Sequence, residues 1–135
     1  MPRQLINSER LHHDVPYHYA AAATGETLVF TAGACPLDGD GRVVTPGDIP
    51  RQTRQALENL QMALNEADCR QGDVVKTTVF VASSSRDDLL QAWSEYESVY
   101  GADGPPSTLL GVAMLGWPEQ LVEIEAIAVR RERPA

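Results

Sequence analysis

The sequence predicts an α+β fold: a mixed six-stranded sheet with two helices packed on one of its faces. Three observations carry that prediction. Two stretches repeat their apolar residues at helical spacing, around residues 49–67 and 86–100. The stretches between and around them are short, β-branched and separated by Gly, Pro and Asp. The chain also ends on a strictly alternating run, in which Val122, Ile124, Ala126 and Ala128 point one way and Glu123, Glu125, Ile127 and Val129 the other.

Taken in order, residues 1–16 are polar and read as an exposed segment. His12, His13 and Asp14 form a ligand-like run there, but no further cluster accompanies them, so no metal site is assigned. Tyr17 to Ala23 and Thr27 to Gly33 are apolar runs split by Thr24, Gly25 and Glu26, a pattern that predicts a β-hairpin. Ala32-Gly33 lets another group approach the backbone closely. Pro36 to Pro50 reads as turn and loop, with a short strand at 42–44.

The first helix is placed at Ile49 to Ala67, with Pro50 in its first turn and Gly72 as its stop. Its apolar face holds Ala56, Leu57, Leu60, Ala63, Leu64 and Ala67, while Gln52, Arg54, Gln55, Asn59 and Glu66 lie away from it. Asp73 to Ala82 is a β-branched strand. Ser83 to Ser85 then supply a helix start, and Leu89, Trp93, Tyr96 and Tyr100 line the second helix until Gly101 ends it. Asp103 to Pro106 is a turn. Two apolar runs joined by Gly116-Trp117-Pro118 complete the chain, the second being the alternating strand Gln120 to Arg130. Apolar residues on both sides of several strands leave one sheet face uncovered, and a homo-oligomer is the natural way to cover it.

Length and composition narrow the class. The 135 residues read as one domain, 1–135, large enough for a real core. The net charge of −8 argues against nucleic-acid binding, since the 11 Lys and Arg are scattered apart from Arg130, Arg131 and Arg133 at the tail. No apolar run approaches the roughly 20 residues of a membrane span, and the N-terminus shows no secretory signal. Cys35 and Cys69 read as free thiols, which agrees with a cytoplasmic location. No phosphate loop, metal motif or nucleophile elbow is present by spacing. What remains is the pair of strand carboxylates Glu123 and Glu125, of which Glu123 is set among apolar neighbours where burial would fit it for proton transfer, together with Tyr17, Ser107, Thr108 and the Gly33 backbone.

Pro16-Tyr17, FTAGACPLD (30–38), QTRQALENLQMALNEADC (52–69), GDVVKTTVFV (72–81), YESVYG (96–101) and VEIEAIAV (122–129) resemble the Rid, or YjgF, family of reactive-intermediate enamine/imine deaminases, also known as L-PSP endoribonucleases. The resemblance covers nearly the whole chain. It implies a chorismate-mutase-like fold and a homotrimer with a central barrel and clefts between subunits. It also implies cofactor-free hydrolysis of small enamines and imines to 2-keto acids and ammonia. By position, Glu123 matches the family's water-orienting glutamate, Tyr17 its cleft tyrosine and Ala32-Gly33 its backbone pair. The arginine that grips the substrate carboxylate has no match: the segment reads Pro105-Pro106-Ser107-Thr108, with Ser107 in the arginine's place. Leu109 replaces a small or Cys residue, and Trp93 a polar Asn.

Two charge-assisted hydrogen bonds to a carboxylate contribute about 3 kcal/mol or more, and losing ~3 kcal/mol costs about two orders of magnitude in affinity or efficiency. The expected ligand is therefore a less acidic small imine- or enamine-like metabolite. It would sit in an inter-subunit cleft lined by Tyr17, Trp93, Ser107, Thr108 and Leu109. A conventional 2-iminobutanoate/2-iminopropanoate deaminase with a substitute anchor, and a metabolite-binding or chaperone-like protein without catalysis, stand as alternatives.

Overall fold

The structure, a computed structural model, describes residues 3–25 and 27–130. Six strands and two helices follow one another as β1 (Arg3–Ile6), β2 (Ala20–Ala23), β3 (Thr27–Phe30), α1 (Ile49–Glu66), β4 (Val74–Val81), α2 (Arg86–Tyr100), β5 (Ser107–Gly111) and β6 (Val122–Arg130). The α+β class is as the sequence predicts, but the strands form two sheets rather than one. β1 pairs with β2, and a four-stranded mixed sheet runs in the order β3-β6-β4-β5. Only β4 and β5 are parallel, and α2 is the crossover that a parallel pair requires.

The predicted hairpin between β2 and β3 does not form. β2 is four alanines and offers a partner little side-chain area. β3 instead lies along β6, where Leu28 meets Val129 and Phe30 meets Ile127. β2 turns to β1, inside the segment read from sequence as merely exposed. Arg3 anchors that strand through its guanidinium, with Nη1 donating to the Val74 carbonyl at 2.6 Å and Nη2 to the Asp103 carbonyl. The strand expected at 42–44 reduces to a single bridge, Leu37 to Val43.

Helix α1 starts on Asp48, whose Oδ1 accepts the Arg51 N–H at 3.0 Å, with Pro50 in the first turn. It stops earlier than Gly72. Ala67 caps it and Asp68 takes the left-handed turn at φ 57°, while Gly72 sits in a separate 3-10 turn. Arg130 Nη1 donates to the Ala67 carbonyl at 3.2 Å, tying the end of β6 to that cap. Arg131 and Arg133 lie outside the described residues.

Both helices pack on one face of the four-stranded sheet. Leu57, Leu60 and Leu64 of α1 and Ala92, Tyr96 and Tyr100 of α2 share a core with Val79 and Val81 of β4 and with Val122, Ile124, Ala126 and Ala128 of β6. The opposite face is open and carries exposed apolar side chains, with Leu28 61%, Phe30 68% and Leu110 42% exposed. No helix among the described residues is long and apolar enough to cross a membrane.

Trp93, Tyr96 and Tyr100 stack along α2 with centroids 4.8 and 4.7 Å apart. Burial pushes the Tyr96 phenol up, opposed by hydrogen bonds to Thr77 and Ser107; burial and then the neighbouring Tyr96 push Tyr100 up. Both phenols therefore hold their protons more tightly in the folded than in the unfolded chain. Their contribution is complete below the ordinary tyrosine value of 10.0 and is lost as pH rises above it. Urea midpoints should fall between about pH 9 and pH 11.5, and fall less in Tyr100→Phe than in the wild type.

Candidate functional site

The site is built where the segment after β3 meets the start of β6. Ala34 N–H donates to the Ile124 carbonyl at 2.7 Å and Ile124 N–H to the Ala34 carbonyl at 3.1 Å. This bridge lays Gly33 directly over the Glu123 side chain. A Cβ at position 33 would lie 2.1 Å from Glu123 Oε2 and 2.5 Å from its carboxyl carbon, so only glycine fits while the carboxylate stays there.

Glu123 is half-buried on the open face of the sheet, opposite Phe80 of β4. Its Oε1 accepts from Gln120 Nε2 at 3.2 Å and from the Cys35 thiol at 3.4 Å. Among the described residues no hydrogen bond reaches Oε2. Burial pushes the Cys35 thiol up, the hydrogen bond and charge of Glu123 add to this, and Gln120 and Trp117 oppose it. The thiol thus keeps its proton near neutral pH and acts as a donor.

Two buried glutamines hold the link that delivers Glu123. Gln120, 3% exposed, accepts the Trp117 N–H at 3.1 Å and donates to the Val122 carbonyl at 3.0 Å. Gln52 of α1 accepts the Leu121 N–H at 2.8 Å and donates to the Glu119 carbonyl at 3.1 Å. Helical spacing placed Gln52 away from the packed face, yet it is fully buried. Asn59 behaves similarly, its Nδ2 donating to the Cys35 and Leu37 carbonyls at 2.8 and 2.9 Å. None of these amides, nor Cys35 as a partner of Glu123, was singled out from sequence. The available signal was the Gly, Pro and Asp richness of the loops, whose backbone groups need side-chain partners.

The other predicted site residues lie elsewhere. Ala32 is exposed beside Gly33. Strand alternation separates Thr108 from Ser107 and Leu109. Thr108 shares the face of Glu123 and accepts from Lys76 Nζ at 2.7 Å. Ser107 faces the helices, accepting at 2.8 Å from Thr77 Oγ1, which is 2.6 Å from Tyr96 Oη. Leu109 packs against the core on the same side, as does Trp93, whose indole Nε1 is buried without a partner. Tyr17 stands apart again. It meets Tyr19 edge-on and lines a cavity of about 500 Å³ with His13, His18, Glu97 and Ala102. The expected cleft is therefore not assembled within one protomer; its residues form three groups, two of them on opposite sheet faces. Among the described residues, no three His, Cys, Asp or Glu side chains gather as a metal site.

The chain belongs to the Rid/YjgF family, as its match to Endoribonuclease L-PSP over residues 10–130 shows. It is 35% identical over 137 residues to the RutC family protein of Haemophilus influenzae, covering 97% of this chain and 100% of that one. It is 38% identical over 109 residues to the 2-iminobutanoate/2-iminopropanoate deaminase of Salmonella typhimurium, covering 78% and 81%. Among solved structures it resembles the Rid-family protein YyfB of Yersinia pestis, with a TM-score of 0.87, 31% identity and coverage of 96% and 100%. It also resembles the YjgF gene product of E. coli, with a TM-score of 0.67, 32% identity and coverage of 95% and 99%.

Replacing Gln52 with Leu would leave the Leu121 N–H and the Glu119 carbonyl without their partner. Urea denaturation should show a loss of about 2–4 kcal/mol, whereas Glu58→Gln at an exposed position of α1 should change stability by under about 0.5 kcal/mol.

Proposed function

We propose that the chain is an enamine/imine hydrolase acting on a small metabolite less acidic than a 2-imino acid. Its cleft would be completed by neighbouring copies in a cytoplasmic, cofactor-free homotrimer of chorismate-mutase-like subunits. The observation that carries this reading is the Glu123 carboxylate, held through Oε1 by Gln120 and Cys35 while Oε2, beside the Gly33 backbone, is unclaimed among the described residues. In the reaction, a water oxygen bonds to the imine carbon while Glu123 takes a water proton. Glu123 passes that proton to the nitrogen, giving a carbinolamine; the hydroxyl proton then moves through Glu123 to the nitrogen as the C–N bond breaks, leaving a carbonyl and ammonia.

Assembly follows from two supports. The open sheet face exposes the apolar side chains of Leu28, Phe30 and Leu110, and the candidate residues fall into groups that one protomer keeps apart. A neighbouring copy would bring the Ser107, Leu109 and Trp93 group, or Tyr17, to the Glu123 of another. Ser107 and Trp93 offer neutral donors where the family resemblance implies an arginine, and Trp117, 47% exposed beside the site, adds apolar surface. Both favour a neutral or weakly charged ligand.

A conventional 2-iminobutanoate/2-iminopropanoate deaminase is the second reading. The Salmonella relative carries that name. Lys76, the only lysine in the chain, shares the sheet face of Glu123 and supplies a cation.

Ammonia release from enzymatically generated 2-aminoacrylate and from a neutral imine separates the two. Activity on 2-aminoacrylate should be about 100-fold below that of an arginine-bearing relative. Glu123→Gln should remove activity on the preferred substrate by at least about 100-fold. A 2-aminoacrylate rate equal to the relative's, lost in Lys76→Met, would establish the second reading. Activity unchanged by Glu123→Gln would defeat both.

Sedimentation should give a species of three 14.7 kDa chains. Phe30→Asp, placing a charge on the uncovered face, should shift it toward monomer.

A further inference from the structure

Glu123 has two carboxylate oxygens in different situations. Oε1 receives an amide N–H from Gln120 and the thiol proton of Cys35, at 3.2 and 3.4 Å. Oε2 is the atom nearest the place a side chain on Gly33 would occupy, and no described residue donates to it. Two donors on one oxygen favour the orientation that keeps Oε1 toward Gln120 and Cys35 and Oε2 on the Gly33 side.

Both donors are themselves fixed. The Gln120 amide is oriented unambiguously: its oxygen accepts the Trp117 N–H, so its nitrogen must be the end that meets the Val122 carbonyl and Glu123. Cys35 is held through its backbone, since Asn59 Nδ2 donates to its carbonyl at 2.8 Å and the next strand-like bridge begins at Ala34. Its sulfur also lies 3.6 Å from the Gly33 carbonyl, a second acceptor and not a donor. A thiolate there would face the Glu123 carboxylate and that carbonyl, both electron-rich. The environment therefore favours the protonated thiol, which is unsuited to act as a nucleophile or a redox thiol.

We propose that Cys35 and Gln120 are positioning residues for Glu123, holding Oε1 by two donors so that Oε2 alone, beside the Gly33 backbone, exchanges protons with the water or ligand. This rests on the reading of Glu123 as the proton-carrying group. The thiol is the weaker donor and the amide the stronger. Loss of Gln120 should therefore cost more than loss of Cys35. Serine, a better donor in a similar volume, should replace Cys35.

Two measurements on the full-length chain test this. The first needs no substrate: iodoacetamide labelling at pH 8, resolved by peptide mass spectrometry so that Cys35 is followed apart from the buried Cys69. Removing the carboxylate in Glu123→Gln should speed labelling of Cys35 by about 3- to 10-fold. An unchanged Cys35 rate would show that the thiol does not engage Glu123 and would overturn the proposal. The second follows hydrolysis of the preferred imine. Cys35→Ala should lower kcat about 3-fold and Gln120→Leu about 10-fold or more, each with KM nearly unchanged, and Cys35→Ser should restore wild-type kcat. Wild-type kcat in Cys35→Ala, or a loss that Cys35→Ser fails to restore, would overturn the role of Cys35. Because Gln120 also holds the link, thermal melting accompanies its kinetics, and the Cys35 pair decides if Gln120→Leu does not fold. If no imine is hydrolysed by the wild type, the functional reading fails, and the labelling rates still decide whether the thiol and carboxylate are coupled.

Discussion

Side-chain amides do the work of missing secondary structure at the site of Glu123. The residues just before β6 form no ladder of their own, and the chain there turns through Glu119 at φ 66°. Unpaired backbone groups in such a link would each cost about 1–3 kcal/mol if buried dry. Gln52 reaches from α1 to take up the Leu121 N–H and the Glu119 carbonyl, and Gln120 folds back on Trp117 and Val122. Asn59 does the same for the loop after Gly33. The position of the carboxylate is thus inherited from α1, a helix that carries no candidate catalytic group.

Periodic elements were legible in the sequence because their burial follows their own spacing. Leu57, Leu60 and Leu64 had to share a face, and Val122, Ile124, Ala126 and Ala128 had to share another, whatever they packed on. Partnerships between elements were not legible on the same terms. The turn residues Thr24 and Gly25 permit a hairpin, but the choice went to whichever neighbour offered more area. Val129 and Ile127 outbid a row of alanines. The amides of Gln52, Asn59 and Gln120 were invisible for a related reason. A buried Gln and a solvated one look alike until the backbone groups awaiting them are located in space.

The candidate site divides along the same line. Glu123 and Gly33 were legible from sequence as a strand acid and a close-approach glycine, and the bridge between Ala34 and Ile124 places them in contact. Ser107, Thr108 and Leu109 were grouped as neighbours in sequence, which on a strand is the wrong unit. Alternation sends Thr108 to the open face with Lys76 and sends Ser107 and Leu109 to the helices. A site formed from both sets needs more than one copy of the chain.

The neutral character of the Ser107 side can be argued from what surrounds it. Tyr96, Thr77 and Ser107 form a chain of hydroxyls 2.6 and 2.8 Å apart, which lines that corner with neutral groups and no charge. Arg3 is the cation whose field reaches Tyr96 and Tyr100, and its guanidinium is occupied by the Val74 and Asp103 carbonyls. Drawing it away to meet a substrate carboxylate would strand two carbonyls and loosen β1, at a cost comparable to the ion pair gained. Lys76 stands on the opposite face, beside Thr108. An anionic ligand reaching Ser107 would therefore meet hydroxyl and indole donors rather than a cation, and desolvating its carboxylate there would go uncompensated. A ligand whose polar end is a neutral carbonyl or amide meets no such penalty, which is the physical support for the proposed preference for less acidic imines and enamines.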